Sequence, residues 1–267
     1  MSVYTLPNPS IRPAVAPKTA YLIASGDLRE GPNVSGWPVQ KAMEDKLARV
    51  FGDLGWTIVR ASPVDPVTGH GFISSQRMGL EVFKNIPMDA PLIVAESVWQ
   101  YSHHVLAGLR TQTGPILTVA NFAGSAPGLV GLLGLNGGLT KMDKLYSTIW
   151  SDDFADEWFL AGIREWVEKG TITHDSSHVR ELPVLPQSDE KTLGEALASQ
   201  LKTDKAIFGV FDEGCMGMYN AIIDDELMNP LGIYKERLSQ SALWAEMLKT
   251  PDAEAEAVFG WLTGHGM

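Results

Sequence analysis

Residues 91–122 read PLIVAESVWQYSHHVLAGLRTQTGPILTVANF, and they decide the fold class. PLIVAES (91–97) and GPILTVANF (114–122) are short, nearly continuous apolar runs. Strands buried on both faces look like this, because a parallel sheet is covered by helices above and below. Between them HHVLAGLRTQ carries a helical spacing, so the segment reads strand, helix, strand. The same alternation extends outward on both sides. TAYLIAS (19–25) and WTIVRAS (56–62) read as earlier strands, and LYSTIW (145–150) as a later one. Helices are expected over 38–55, where Pro38 suits a first turn and Gly55 a last one, and over SSQRMGLEVFKNI, DDFADEWFLAGIREWVEKG and DEKTLGEALASQLK. The class is therefore α/β, with a parallel sheet and helices on both faces.

Size and charge limit what such a fold does. The chain has 267 residues and a net charge of −11, with no Arg/Lys cluster, which argues against binding nucleic acid. A single cysteine excludes an internal disulfide framework and a thiolate zinc site within one chain, and suits a cytoplasmic setting. The first twenty residues have no signal-peptide pattern, and the Gly-rich PGLVGLLGLNGGL is too short for a membrane span. A break in the alternation at ELPVLPQSDE marks a boundary. The remainder reads as one helix, one strand (KAIFGVF), a loop, and helices over about 238–263.

Ligands of open α/β sheets bind beyond the carboxyl ends of the strands. Four loops qualify: 25–37, 96–104, 121–128 and 212–220. In the first, Arg29 follows Asp27 by two, either as a solvated ion pair or as a donor fork for hydroxyl or carboxylate groups. In the second, Trp99 and Tyr101 are either core rings or an apolar wall for the C–H face of a sugar. His103 and His104 are adjacent, so they point about 100° apart on a helix and do not chelate together; the helix dipole disfavours their protonation. In the fourth, DEGCMGMYN holds Asp212 and Glu213 just before the only cysteine, Cys215, which makes a catalytic thiol unfavourable. Its glycines and methionines suit a loop that lines a substrate. Gly69-His70-Gly71 follows no strand and is not a dinucleotide fingerprint, and no Walker A motif occurs. His174 and His178 have a metal spacing only if helical, and their polar neighbours favour a turn.

YLIASGDLR with GWPVQKAMEDKL, GHGFISSQRMGLEVF, VWQYSHHVLAGLR, GPILTVAN and residues 209–243 together resemble the N-terminal part of the L-fucose isomerase-like proteins, the L-fucose and L-arabinose ketol isomerases. The resemblance implies two Rossmann-like domains, N1 and N2, followed by a mostly β C-terminal domain. It implies aldose–ketose interconversion with Mn²⁺ through an enediol, in a ring-like homo-oligomer. It further implies that Arg29, Trp99 and Met216 contact a monosaccharide, the first two in a neighbouring subunit's site. On this reading residues 1–186 are N1, 187–203 a connecting helix, and 204–267 the start of N2. The family's metal ligands lie beyond that point, so the expectation is no catalytic or metal-binding residue in this chain. Activity would then need a chain that supplies the C-terminal domain. The alternative is a non-catalytic sugar-binding or assembly module, without nucleic-acid or membrane partners.

Overall fold

A computed structural model describes residues 14–99, 101–124, 126, 128–213 and 217–267. Five strand–helix pairs follow one another: β1 (Thr19–Ile23), α1 (Glu30–Asp53), β2 (Thr57–Arg60), α2 (Gln76–Lys84), β3 (Leu92–Glu96), α3 (His103–Thr111), β4 (Ile116–Asn121), α4 (Gly128–Lys141), β5 (Ser147–Ser151) and α5 (Glu157–Lys169). The five strands form one sheet in the order β2-β1-β3-β4-β5, and every pairing is parallel. The class read from the sequence is the one observed. All residues of β3 and β4 are buried, as their continuous apolar runs require.

Two apolar layers cover the sheet. On one face Met43, Leu47 and Phe51 of α1 pack with Phe159, Ile163 and Trp166 of α5. On the other, Val82 and Phe83 of α2, Val105 and Leu109 of α3, and Leu135 and Leu139 of α4 pack together. Strand order reverses direction at β1, so the chain leaves β1 and β3 toward opposite faces. The crevice between their carboxyl ends is the switch point of the sheet.

Three details depart from the sequence reading. The first is that α1 begins at Glu30, so Pro38 lies inside it. Pro38 and Val34 are both exposed, and the Val34 carbonyl that loses its N–H partner lies on the solvent side. The second is that the Gly-rich apolar stretch forms α4. Its glycines allow close approach: a Cβ at Gly128 would lie 1.7 Å from Asn121 Oδ1. Asn136 ties α4 to the sheet, accepting from Thr118 Oγ1 (2.8 Å) and donating to Thr148 Oγ1 (2.9 Å). Among the described residues no helix is long and apolar enough to cross a membrane.

The third departure is in the tail. Contacts divide the chain into a first unit, Met1–Arg180 with Met216–Asn220, and a second, Glu181–Cys215 with Ala221–Met267. The second unit holds α6 (Asp189–Asp204), β6 (Ala206–Val210), α7 (Asp225–Met228), β7 (Ile233–Arg237), α8 (Gln240–Met247) and α9 (Asp252–Gly264). Two strands are present where the sequence reading found one: β7 pairs parallel with β6 along its whole length. Three of the five residues of IYKER are charged and three are exposed, so it lacks the continuous apolar run that revealed the other strands.

Candidate functional site

The loops that leave β1 and β3 are stitched together by backbone. Gly26 N donates to Ile73 O (2.9 Å), Tyr101 N to Gly26 O (3.0 Å), and Ser25 Oγ to Tyr101 O (2.8 Å). Gly26 has no room for a side chain, since a Cβ would sit 2.4 Å from Asn33 Oδ1. The Asn33 side chain accepts from Asp27 N (2.8 Å) and donates to Asp27 O (2.9 Å), fixing the turn into α1. On the same helix face, Gln40 donates to Ala95 O (3.0 Å) and accepts from Ser97 N (3.1 Å), fixing the exit from β3.

Asp27 and Arg29 form a forked pair. Arg29 Nε donates to Asp27 Oδ1 and Nη2 to Oδ2, both at 2.9 Å. Asp27 is 3% exposed and Arg29 68% exposed, so a buried carboxylate orients an outward-facing guanidinium. Hydrogen bonding to Arg29 holds the Asp27 carboxyl below the usual carboxylate range despite its burial, and the same bond raises Arg29. Of the two readings of Arg29, a solvated pair does not describe a carboxylate this buried. Two donors are spent on Asp27; the outward edge of the fork remains for a ligand.

Trp99, on the β3–α3 loop, is half-buried and lines a narrow crevice with Ser102, Val130, Gly134 and Met218. Tyr101 stacks on His104, with ring centroids 5.4 Å apart and planes 9° apart. His104 is 5% exposed, and its Nδ1 lies 3.0 Å from Ile73 O. Burial is the main cause that pushes its pKa down; the helix-dipole argument reaches the same direction without that cause. His103 lies edge-on to Tyr219, with ring centroids 5.8 Å apart, and borders the depression described next.

Met216 lies outside the described residues. Its neighbour Gly217 does not: it has φ +68°, and a Cβ there would lie 2.1 Å from the Tyr101 ring. Glycine is needed for both reasons. Ser102 Oγ donates to Gly217 O (3.1 Å) and accepts from Tyr219 N (3.4 Å), anchoring this segment at the start of α3. Together Leu28, Ser75, Arg77, Tyr101, His104 and Gly217 border an open depression of about 540 Å³. The loops carrying Arg29, Trp99 and Met216 each send a neighbour to this depression or to the crevice of Trp99.

The histidines at 174 and 178 do not form a metal pair. Their segment is not helical and turns at Ser177 and His178, as its polar residues suggest, and His174 Nε2 meets Thr148 O at 2.8 Å. Among the described residues no three His, Cys, Asp or Glu side chains converge to hold a metal ion. The described residues therefore do not fit the Mn²⁺ that the family resemblance implies. Glu213 is engaged within the second unit. It pairs with Lys235 and, at 2.8 Å, with Arg237, which also forks onto Asp225 at 2.9 and 3.1 Å.

Sequence reasoning passed over Asn33, Gln40 and Arg77. The first two had a usable signal: they share the helical face of Met43, Leu47 and Phe51, where a polar residue needs a buried partner. No protein-family model matches the chain, and no curated protein matches it.

Proposed function

We propose that this chain recognises a monosaccharide at the β1/β3 switch point, as the sugar-contacting part of an aldose–ketose isomerase of the L-fucose isomerase-like kind. The carrying observation is the Asp27–Arg29 fork, in which a buried carboxylate sets an exposed guanidinium at a place where open α/β sheets bind ligands. A guanidinium edge donates to vicinal hydroxyls, and the half-buried indole of Trp99 offers an apolar face to sugar C–H groups. In this proposal Arg29, Trp99 and Met216 bind and orient the sugar. The metal and acid/base groups of an enediol reaction come from outside the described residues, from a further domain or a neighbouring subunit of a homo-oligomer. A cytoplasmic setting suits the single cysteine.

A second reading, a sugar-binding or assembly module without catalysis, is favoured by the lack of a converging metal-ligand set among the described residues. One assay separates them: aldose–ketose interconversion over L-fucose, D-arabinose and L-arabinose, with and without Mn²⁺, paired with calorimetric binding of the same sugars. Metal-dependent turnover supports the isomerase. Binding that Arg29→Ala abolishes, without turnover, supports the module. Neither binding nor turnover by the folded chain contradicts both.

A further inference from the structure

The depression at the switch point has a charge pattern that a neutral sugar leaves unexplained. Arg77, in the first turn of α2, borders it, and so do His103 and His104, in the first turn of α3. Among the described residues no acidic side chain lines it. The Arg77 side chain is exposed and has no hydrogen-bond or ion-pair partner among the described residues. Glu81, one turn further along α2, pairs with Lys84 at 2.7 Å. The nearest carboxylate on the β1–α1 loop, Asp27, is spent on Arg29.

Basic groups in a first helical turn sit at the positive end of the helix dipole, where they are disfavoured. Two such turns meet at this one cavity; Asp27 acts electrostatically on His104, but among the described residues none pairs with Arg77. Local rules broken without compensation mark functional positions. The buried His104 ring forms part of the same wall. Ser75 adds a donor there, because its Oγ accepts from Met78 N (3.2 Å) and its own hydroxyl proton stays available.

We infer that this depression binds the anionic group, phosphate or carboxylate, of a small polyhydroxy ligand, with Arg77, His103 and Ser75 as its donors. For the polyhydroxy remainder the inference rests on the sugar reading above; for the anionic group it stands on the cavity itself. A charge-assisted hydrogen bond from a guanidinium contributes enough that its loss weakens binding about tenfold or more.

The test is calorimetric titration of the full chain with inorganic phosphate, D-arabinose 5-phosphate, D-arabinonate and D-arabinose. Each is repeated on Arg77→Gln, on His103→Gln, and on Arg164→Gln, which removes an exposed arginine from α5 on the opposite face. The expected result is that phosphate and the sugar phosphate bind, about tenfold more weakly to the first two variants and unchanged to the third. Arg77-dependent binding of the sugar acid alone supports the inference with carboxylate as the source. Binding of D-arabinose with no anion binding or competing overturns the inference and leaves the sugar reading standing. Arg77-dependent anion binding without any neutral sugar supports the inference and removes the sugar reading. Equal anion binding by all variants, or none by any, overturns it.

Discussion

The two units of this chain use similar local ingredients to different effect. Both have parallel strands, helices and serine caps, yet only the first buries them. In the first, β3 and β4 are wholly buried and two apolar layers sandwich the sheet. In the second, α6, α8 and α9 bury no residue, and Phe208, Trp244, Phe259 and Trp261 are each more than half exposed. A two-stranded sheet has too little area to build a core. What orders the second unit is polar: Lys235 and Arg237 of β7 hold Glu213 beyond β6 and Asp225 of α7. The comparison teaches that secondary structure legible from propensity says little about stability, which follows burial.

The largest expected contrast is in hydrogen exchange. Amides of β1, β3 and β4 exchange only on global opening of the first unit, while those of β6 and β7 exchange orders of magnitude faster through local opening. Equal protection in both sheets would break the comparison. Next in size is a pair of tryptophan truncations. Trp166 is 2% exposed in the core and Trp244 60% exposed on α8. Trp166→Ala costs about 3–5 kcal/mol in the first unit's denaturation. Trp244→Ala stays within about 0.5 kcal/mol, as surface changes do. Similar losses would show that α8 is packed.

Acid sharpens the contrast further. Hydrogen bonding to Lys235 first, then Arg237, lowers the Glu213 pKa, and Arg237 lowers that of Asp225. A carboxyl whose folded pKa lies below its unfolded value stabilises fully above the unfolded value and loses that contribution as pH falls through the folded one. Among its described residues the second unit has no buried apolar side chain, so its β7 amide signals are expected to disperse poorly below about pH 4, a range set by ordinary carboxyl values. First-unit signals persist there, although Asp27 and Asp156 are shifted in the same direction. Loss of the first unit before the second would contradict this. The smallest effect compares two identical caps. Ser75 Oγ accepts from Met78 N and Ser239 Oγ from Ala242 N, both at 3.2 Å. Ser75→Ala lowers first-unit stability by about 1 kcal/mol. Ser239→Ala frays α8 alone, visible in local exchange with no shift of the first unit's melting.

Legibility in the sequence followed the same division. The strands of the first sheet stood out because burial on both faces demands uninterrupted apolar runs such as LIVAE and ILTVAN. β7 stayed hidden because its alternate positions carry Lys235 and Arg237, residues that a charge network rather than a core requires. At the site, Asp27–Arg29 and the ring pair at 101 and 104 were visible as residues, but their burial was not. Which of two neighbours is buried depends on partners outside the motif itself, here Ile73, 31 residues away, for His104 and Asn33, six residues away, for Asp27. Arg77 carried no motif; only the meeting of α2 with α3 at one cavity made its missing counter-charge informative.

The most direct test of the account is a ¹⁵N NMR titration of the whole chain with L-fucose, D-arabinose and L-arabinose in turn. The account predicts shifts concentrated at Asp27–Asn33 and Ser97–Ser102, saturating with at least one sugar and lost in Arg29→Ala. Saturable shifts confined to β6, β7 and α7, or no shift with any sugar, would contradict the placement of a sugar site at the β1/β3 switch point.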